Sequence, residues 1–334
     1  MSQIDRVLRS NLRLRHLQLL VALDEFRHLG RAADFLALTQ PAVSKMLAEV
    51  ERMYGVALFT RSTRGTEPTA AGAVAVRFAR SVLADHARTH EAVLALDSGA
   101  AGRVAVGSMV VAFAELVHGA IARLKASAPG ATVLVEEGDL TRLLPRLRVG
   151  ELDLFVGRLE PGYAAPDLDT EALLQDGMCL ICHPEHPLAQ GGTPSWEALA
   201  RLPWVMPPSW ASSRVKLIQA FYRHRLEPPT DVVETASFLV TFDWVRRQGA
   251  IGFVARMVAE RYQAEGLLRI LPVRLRIELP PVGLITLHGR APSPTGVQMI
   301  QALRATAREF LARRQGAPGE RTPMAAGKSI DDSQ

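Results

Sequence analysis

The sequence predicts an α/β protein in two unequal parts, a small helical unit at the N-terminus and a larger region of alternating strands and helices, joined by one long helix. Three observations carry this prediction. Residues 12–68 are rich in apolar residues at helical spacing and end in the basic, glycine-containing segment RSTRGTEP. Residues 69–98 are rich in alanine and hold no proline and no glycine after Gly72, which reads as one uninterrupted helix. From residue 103 onward, short β-branched runs such as RVAVGS, ATVLVEEG and DLFVG are spaced by helical segments, the pattern of βαβ units and a parallel sheet with helices on its faces.

Length and composition set the bounds. At 334 residues the chain exceeds one ordinary core and suits a small domain followed by a two-lobed one. The 39 Lys and Arg against 34 Asp and Glu leave a formal charge of +5, a mild excess of base that permits a polyanionic partner without requiring one. The opening MSQIDRVLRSNLRLRHLQLL carries charge throughout, unlike an export signal, and no uncharged apolar run reaches about 18 residues. A cytoplasmic protein with no membrane contact is expected. Two cysteines exclude a disulfide framework.

The segment HLGRAADFLALTQPAVSKMLAEVERMYG reads as a short helix, a turn at Ala37 and Leu38, and a longer helix from Gln40 to about Met53. Thr39 is placed to cap the second helix, and Pro41 falls in its first turn, where a missing N–H costs nothing. Val43, Leu47 and Val50 recur at i, i+4 and i+7 and form its buried stripe, which turns Gln40, Ala42, Ser44, Lys45 and Glu49 outward. Ala32 and Ala33 let the two helices approach closely, as in a helix-turn-helix whose second helix enters a major groove. An amide, a hydroxyl and a cation at that helix start are the groups that read base edges and neutralise phosphate. The following RSTRG supplies Arg61 and Arg64 on a short loop suited to a wing against the DNA backbone or minor groove.

RHLQLLVAL and GRAADFLALTQPAVSKMLAEVERMYGVALFTRSTRGTEPTAAG resemble the N-terminal signature of the LysR-type transcriptional regulators, and a weaker resemblance runs from residue 12 to about 314. The N-terminal half is also similar to the subgroup named for regulators of galactose-binding proteins. The resemblance implies a winged helix-turn-helix over 12–68, a linker helix over 69–98, and a two-lobed effector domain over 103–314 with a periplasmic-binding-protein-like α/β fold. Lobe 1 would comprise 103–160 and 280–314, and lobe 2 165–275; a disordered tail is expected over 315–334. It places Gln40, Pro41, Ser44 and Lys45 at the DNA-facing helix start, Arg64 on the wing and Arg31 at a basic position of the preceding helix. Lys45 stands where the family often has arginine, which favours phosphate contact over forked recognition of guanine.

Double-stranded DNA is therefore the expected partner, bound at an interrupted palindrome by a homodimer or homotetramer, with RNA polymerase a further partner. Val76, Ala79, Leu83, Ala87 and Leu94 fall on one side of the linker, interrupted near His86 and His90; they would pack on their own domain or, as the resemblance favours, pair two chains.

A small-molecule effector is expected between the lobes, where strand ends of open α/β sheets bind ligands. Ser108, with Met109 beside it, follows RVAVG and could offer a hydroxyl and helix N-terminal amides; Asp139 and Thr141 follow VLVEEG; Arg158 follows DLFVG; Ser209 and Trp210 follow WVMPP; and Phe253 lies in IGFV. An aspartate at 139 accepts from ligand hydroxyls, so the effector is expected to be sugar-like or a small organic acid.

Cys179, Cys182 and His183 spell the C-x-x-C-H of haem attachment. GMCLIC, however, reads as a buried strand on which residues three apart face opposite ways, and no metal or cofactor is expected. An enzyme of the same α/β fold, or a solute-binding protein, is the alternative class. The first lacks a G-x-S-x-G elbow, a phosphate loop and H-E-x-x-H. The second has no use for residues 12–68.

Overall fold

The computed structural model describes residues 12–62, 65–98 and 102–316. The N-terminal unit comprises α1 (Leu14–Phe26), α2 (Leu29–Phe35), α3 (Gln40–Tyr54) and an antiparallel hairpin of β1 (Phe59–Ser62) and β2 (Gly65–Pro68). Val43, Leu47 and Val50 are buried as their spacing requires, against Leu17, Leu20 and Leu23 of α1, with Ala32 and Ala33 closing the contact. Each such burial contributes roughly 1.5–3 kcal/mol for the larger side chains. Gly55, left-handed at φ 72°, ends α3, and Glu51 then accepts from the amides of Leu58 and Phe59 at 2.8 and 3.1 Å, which fixes the wing to that helix.

The linker helix α4 (Ala70–Ser98) starts against the wing. Its Gly72 leaves no room for a side chain, since a Cβ there would stand 1.8 Å from the Leu58 carbonyl oxygen. Gly72→Ala is expected to destabilise the N-terminal unit by about 3 kcal/mol, an overpacking cost. Urea unfolding followed by a probe in α1–α3 checks this, and an unchanged midpoint would contradict it. Val76 and Ala79 are buried and Leu83 half-buried against the N-terminal core, so these three of the five predicted stripe residues serve their own domain. Ala87 is exposed, and the Leu94 side chain is outside the described residues. Val74 and Phe78 stand exposed on α4.

The chain continues through β3 (Arg103–Ser108), the helical run α5 (110–127, with a π turn at Phe113–Val117), β4 (Thr132–Glu137), α6 (Leu140–Val149), β5 (Leu154–Arg158) and β6 (Leu168–Leu174). There follow β7 (Met178–Cys182), α7 (Pro187–Gln190), α8 (Trp196–Ala200), β8 (Trp204–Met206), α9 (Ser212–Arg223), β9 (Val232–Glu234) and α10 (Phe238–Gln248). The chain then runs through β10 (Ile251–Ala255), α11 (Arg256–Ala264), β11 (Arg269–Ile270), β12 (Val282–Leu287) and α12 (Pro294–Gly316). The expected disordered tail lies, beyond Gly316, outside the described residues.

Two five-stranded sheets result, ordered β4-β3-β5-β12-β6 and β11-β7-β10-β8-β9. They correct the sequence reading in two ways. Neither sheet is purely parallel, because β12 runs antiparallel to β5 and β6, and β7 antiparallel to β10 and β11. β6, expected in the second lobe, pairs along its length with β12 and edges the first, because its alternating pattern marks it as a half-exposed strand without saying which sheet it joins. The crossings between lobes therefore fall at 175–177 and 271–281. Cys179 and Cys182 lie in β7 on opposite faces, in separate apolar clusters, and burial pushes their thiols up to about 12 and about 11.

Candidate DNA interface and ligand cleft

The start of α3 is built to be presented. Thr39 caps it, its Oγ1 accepting from Ala42 N at 3.4 Å, while Gln40, Pro41 and Lys45 are exposed and Ala42 and Ser44 half-buried. The tight turn before it passes through Ala37 in the left-handed region at φ 53°. Arg31 is exposed on α2, whose N-cap His28 accepts from the amides of Gly30 and Arg31 at 3.0 and 3.4 Å. Arg61 is exposed on β1; Arg64 lies outside the described residues. The start of α3 offers the Gln40 amide, the Ser44 hydroxyl and the Lys45 cation from a rigid helix end, a set suited to a duplex groove, and Arg31 adds a cation on the helix before it.

A cavity of about 550 Å³ opens between the lobes. Of the residues expected there, Met109, Asp139, Thr141, Arg158, Trp210 and Phe253 line it; Ser108 and Ser209 do not. Ser108 ends an inner strand with β4 and β5 on either side, is fully buried, and donates its hydroxyl to the Met109 carbonyl at 3.0 Å. Ser209 is exposed outside the cavity, and Trp210 is 64% exposed at the mouth.

Asp139 acts first on its own helix. Its Oδ1 accepts from the amides of Thr141 and Arg142 at 2.8 and 3.1 Å and from the Thr141 hydroxyl. Partial burial raises the carboxyl, but these bonds outweigh it and hold Asp139 below the usual carboxylate range. The oxygen expected to meet ligand hydroxyls is thus already committed to capping α6.

Arg158 is the most unusual group in the cleft, an arginine only 4% exposed. Its Nη1 donates to the carbonyls of Asp176 and Pro280, both at 3.0 Å, so one guanidinium holds both interlobe crossings. Nη2 reaches only the Met178 sulfur at 3.7 Å, and Arg158 makes no ion pair among the described residues. Burial pushes the guanidinium below its ordinary value, against the longer-range pull of Asp176 and Glu160. The Asp176 carboxylate, raised by burial, instead accepts from Met257 N at 3.2 Å and faces Arg314 at 3.5 Å.

Sequence reasoning missed the closing contact. Ser212, at the start of α9, donates to Glu160 from the other lobe at 2.8 Å, and both line the cleft. It also missed Ser237, which caps α10 at 3.4 Å in the second lobe as Asp139 caps α6 in the first. The strand, then cap, then apolar helix pattern in VVETASFLV could have revealed Ser237. Nothing local marks the Glu160–Ser212 pair, which depends on how the lobes meet.

A DNA-reading helix on one end of the chain and a ligand-sized cleft on the other define a ligand-responsive DNA-binding regulator. The comparisons agree. The family model "Bacterial regulatory helix-turn-helix protein, lysR family" matches residues 14–73 and "LysR substrate binding domain" matches residues 97–308. The chain is 33% identical over 299 residues to the HTH-type transcriptional regulator GbpR of Azospirillum brasilense, covering 89% of this chain and 87% of that protein. It is 30% identical to the HTH-type transcriptional regulator GalR of Pseudomonas putida over 290 residues, 87% and 73% of the two chains. In fold it matches full-length CbnR complexed with its target DNA at a TM-score of 0.65 and 20% identity, over 88% of this chain and all of that one. The chain belongs to the LysR family: it is a DNA-binding transcriptional regulator with an effector-binding domain, not an enzyme. Among the described residues no helix is long and apolar enough to cross a membrane.

Proposed function

We propose that this regulator works in the cytoplasm as a dimer, or a pair of dimers, on an interrupted palindrome, and that a small organic acid, sugar-derived or aromatic, bound between its lobes modulates it. The observation that carries the ligand class is Arg158. A buried guanidinium with spare donors and no ion pair, at the floor of a ligand-sized cleft, is matched by a carboxylate. Phe253 and Met109 offer apolar surface to the ligand body, and Thr141, Ser213 and Thr241 offer groups for its hydroxyls. The exposed Val74 and Phe78 of α4 give a second copy an apolar stripe to cover. Contact with RNA polymerase follows from the expected position beside a promoter.

The test uses matched pairs: D-gluconate against D-glucose, and benzoate against benzamide. A ligand that binds only the folded state raises its melting temperature. At least one acid is expected to do so while its uncharged partner does not, the sugar and aromatic arms distinguishing the two kinds of acid. Equal shifts from charged and uncharged members would overturn the ligand class.

A further inference from the structure

An unbroken run of ion pairs crosses all three parts of the chain. On the wing strand β2, Glu67 pairs with Nη1 of Arg27, whose Nη2 stands 2.8 Å from Oδ1 of Asp24 on α1. The other Asp24 oxygen stands 3.1 Å from Arg80 of the linker helix, and Glu25 adds a contact at 3.4 Å. Arg80 then reaches across to Glu151, just beyond α6, at 2.7 Å. The second oxygen of Glu151 lies 2.7 Å from Nε of Arg146 on α6, and Arg146 pairs in turn with Glu136 on β4. The three residues after Glu136 line the ligand cleft, and the last of them, Asp139, caps α6.

Several features make this run more than scattered surface pairs. Asp24 and Glu151 each spend their two oxygens on different arginines, so a movement at one side is passed to the other. The side chains of Arg80, Glu151 and Asp24 are 23, 23 and 20% exposed, and charges this sheltered are screened less than exposed ones. Burial opposes charge on both Arg80 and Glu151, yet their mutual bonds prevail, raising the arginine and lowering the carboxyl. The junction they bridge is loosely packed, with a cavity of about 300 Å³ lined by Val21, Leu83, Ala84 and Leu134 as well as by Arg80 and Glu151. At the far end, Thr66 N donates to the Arg27 carbonyl at 2.8 Å, and Gly65, at φ 132°, lets the wing lie against that carbonyl.

We propose that this run of charges couples the cleft to the wing: a ligand that shifts the corner of β4 and α6 moves Glu136, Arg146 and Glu151, and through Arg80 repositions Asp24, Arg27 and the wing. It rests on the cleft being the effector site. The two arms of the test separate the failure of one from the failure of the other.

The first arm needs no ligand. In the full-length protein, Glu151→Gln is expected to raise hydrogen exchange at the wing amides of Thr66 and Glu67 by about threefold or more, because local opening is governed by the contacts that hold a segment. Arg123→Gln, which breaks an unconnected pair with Glu309, leaves them unchanged. Unchanged wing exchange in Glu151→Gln overturns the proposal, whatever the ligand.

The second arm measures DNA affinity with and without D-gluconate or benzoate in wild type, Arg80→Gln, Glu151→Gln and the double variant. Each single substitution is expected to bring an effector-dependent change of about 5-fold or more to within about twofold of none, with the double variant no worse, as for residues acting as one unit. Ligand affinity off DNA stays within about twofold of wild type in all of them, since coupling and binding are separable quantities. A full effector response in Arg80→Gln overturns the proposal. If neither acid binds wild type, the cleft reading fails for these acids while the exchange arm still decides whether Glu151 and the wing are connected.

Discussion

Gln40→Ala is expected to flatten base preference at one position of each half-site by about 1–3 kcal/mol, leaving the other positions as they were. Gln40 is the first residue of a helix whose cap, Thr39, and buried stripe, Val43, Leu47 and Val50, fix its direction. A side-chain amide held in that way can give and accept one hydrogen bond each at the edge of an adenine, and alanine can do neither. Lys45→Ala is expected to behave differently. As an exposed point charge it neutralises phosphate, so its loss weakens all sequences alike and lowers the slope of log affinity against log salt by about one. Binding to a panel of single-base variants at two salt concentrations separates the two, and identical specificity profiles for wild type and Gln40→Ala would exclude base reading at that position.

Arg158→Met is expected to abolish the response to acids and to destabilise the effector domain by about 2–5 kcal/mol, because it strands buried acceptors. The carbonyls of Asp176 and Pro280 lose their shared donor, and both lie on the crossings between the lobes. Arg158→Lys keeps the charge but lacks the planar fork, so part of the stability and little of the acid selectivity is expected to return. Urea unfolding together with the melting shift given by D-gluconate or benzoate reads both effects. A Met variant with wild-type stability and an intact acid response would place the anion elsewhere.

What the sequence made legible was what short-range rules encode. The stripe of α3, the Thr39 cap and Pro41 in the first turn are all decided within a few residues, and the observed helix starts where they require. The cleft was legible at its strand ends and blurred in its side chains. Ser108 stands at a strand end as a ligand group should, yet a strand flanked on both sides is buried along nearly all its length and hides which of its last residues turns inward. Asp139 stands before an apolar helix, a position equally good for capping and for ligand contact, and capping claims one of its oxygens. β6 and the Glu160–Ser212 contact depend on how distant segments meet, which no local pattern states.

The measurement that tests the central assignment most directly is a footprint of the full-length protein on the DNA upstream of its own coding sequence and its neighbours, repeated at rising salt. Protection of an interrupted palindrome, lost steeply as salt increases and lost in a variant whose Gln40 and Lys45 are both alanine, is the expected result. Protection that is absent at low salt, or that persists unchanged without those two side chains, would contradict the placement of the DNA-reading surface at the start of α3.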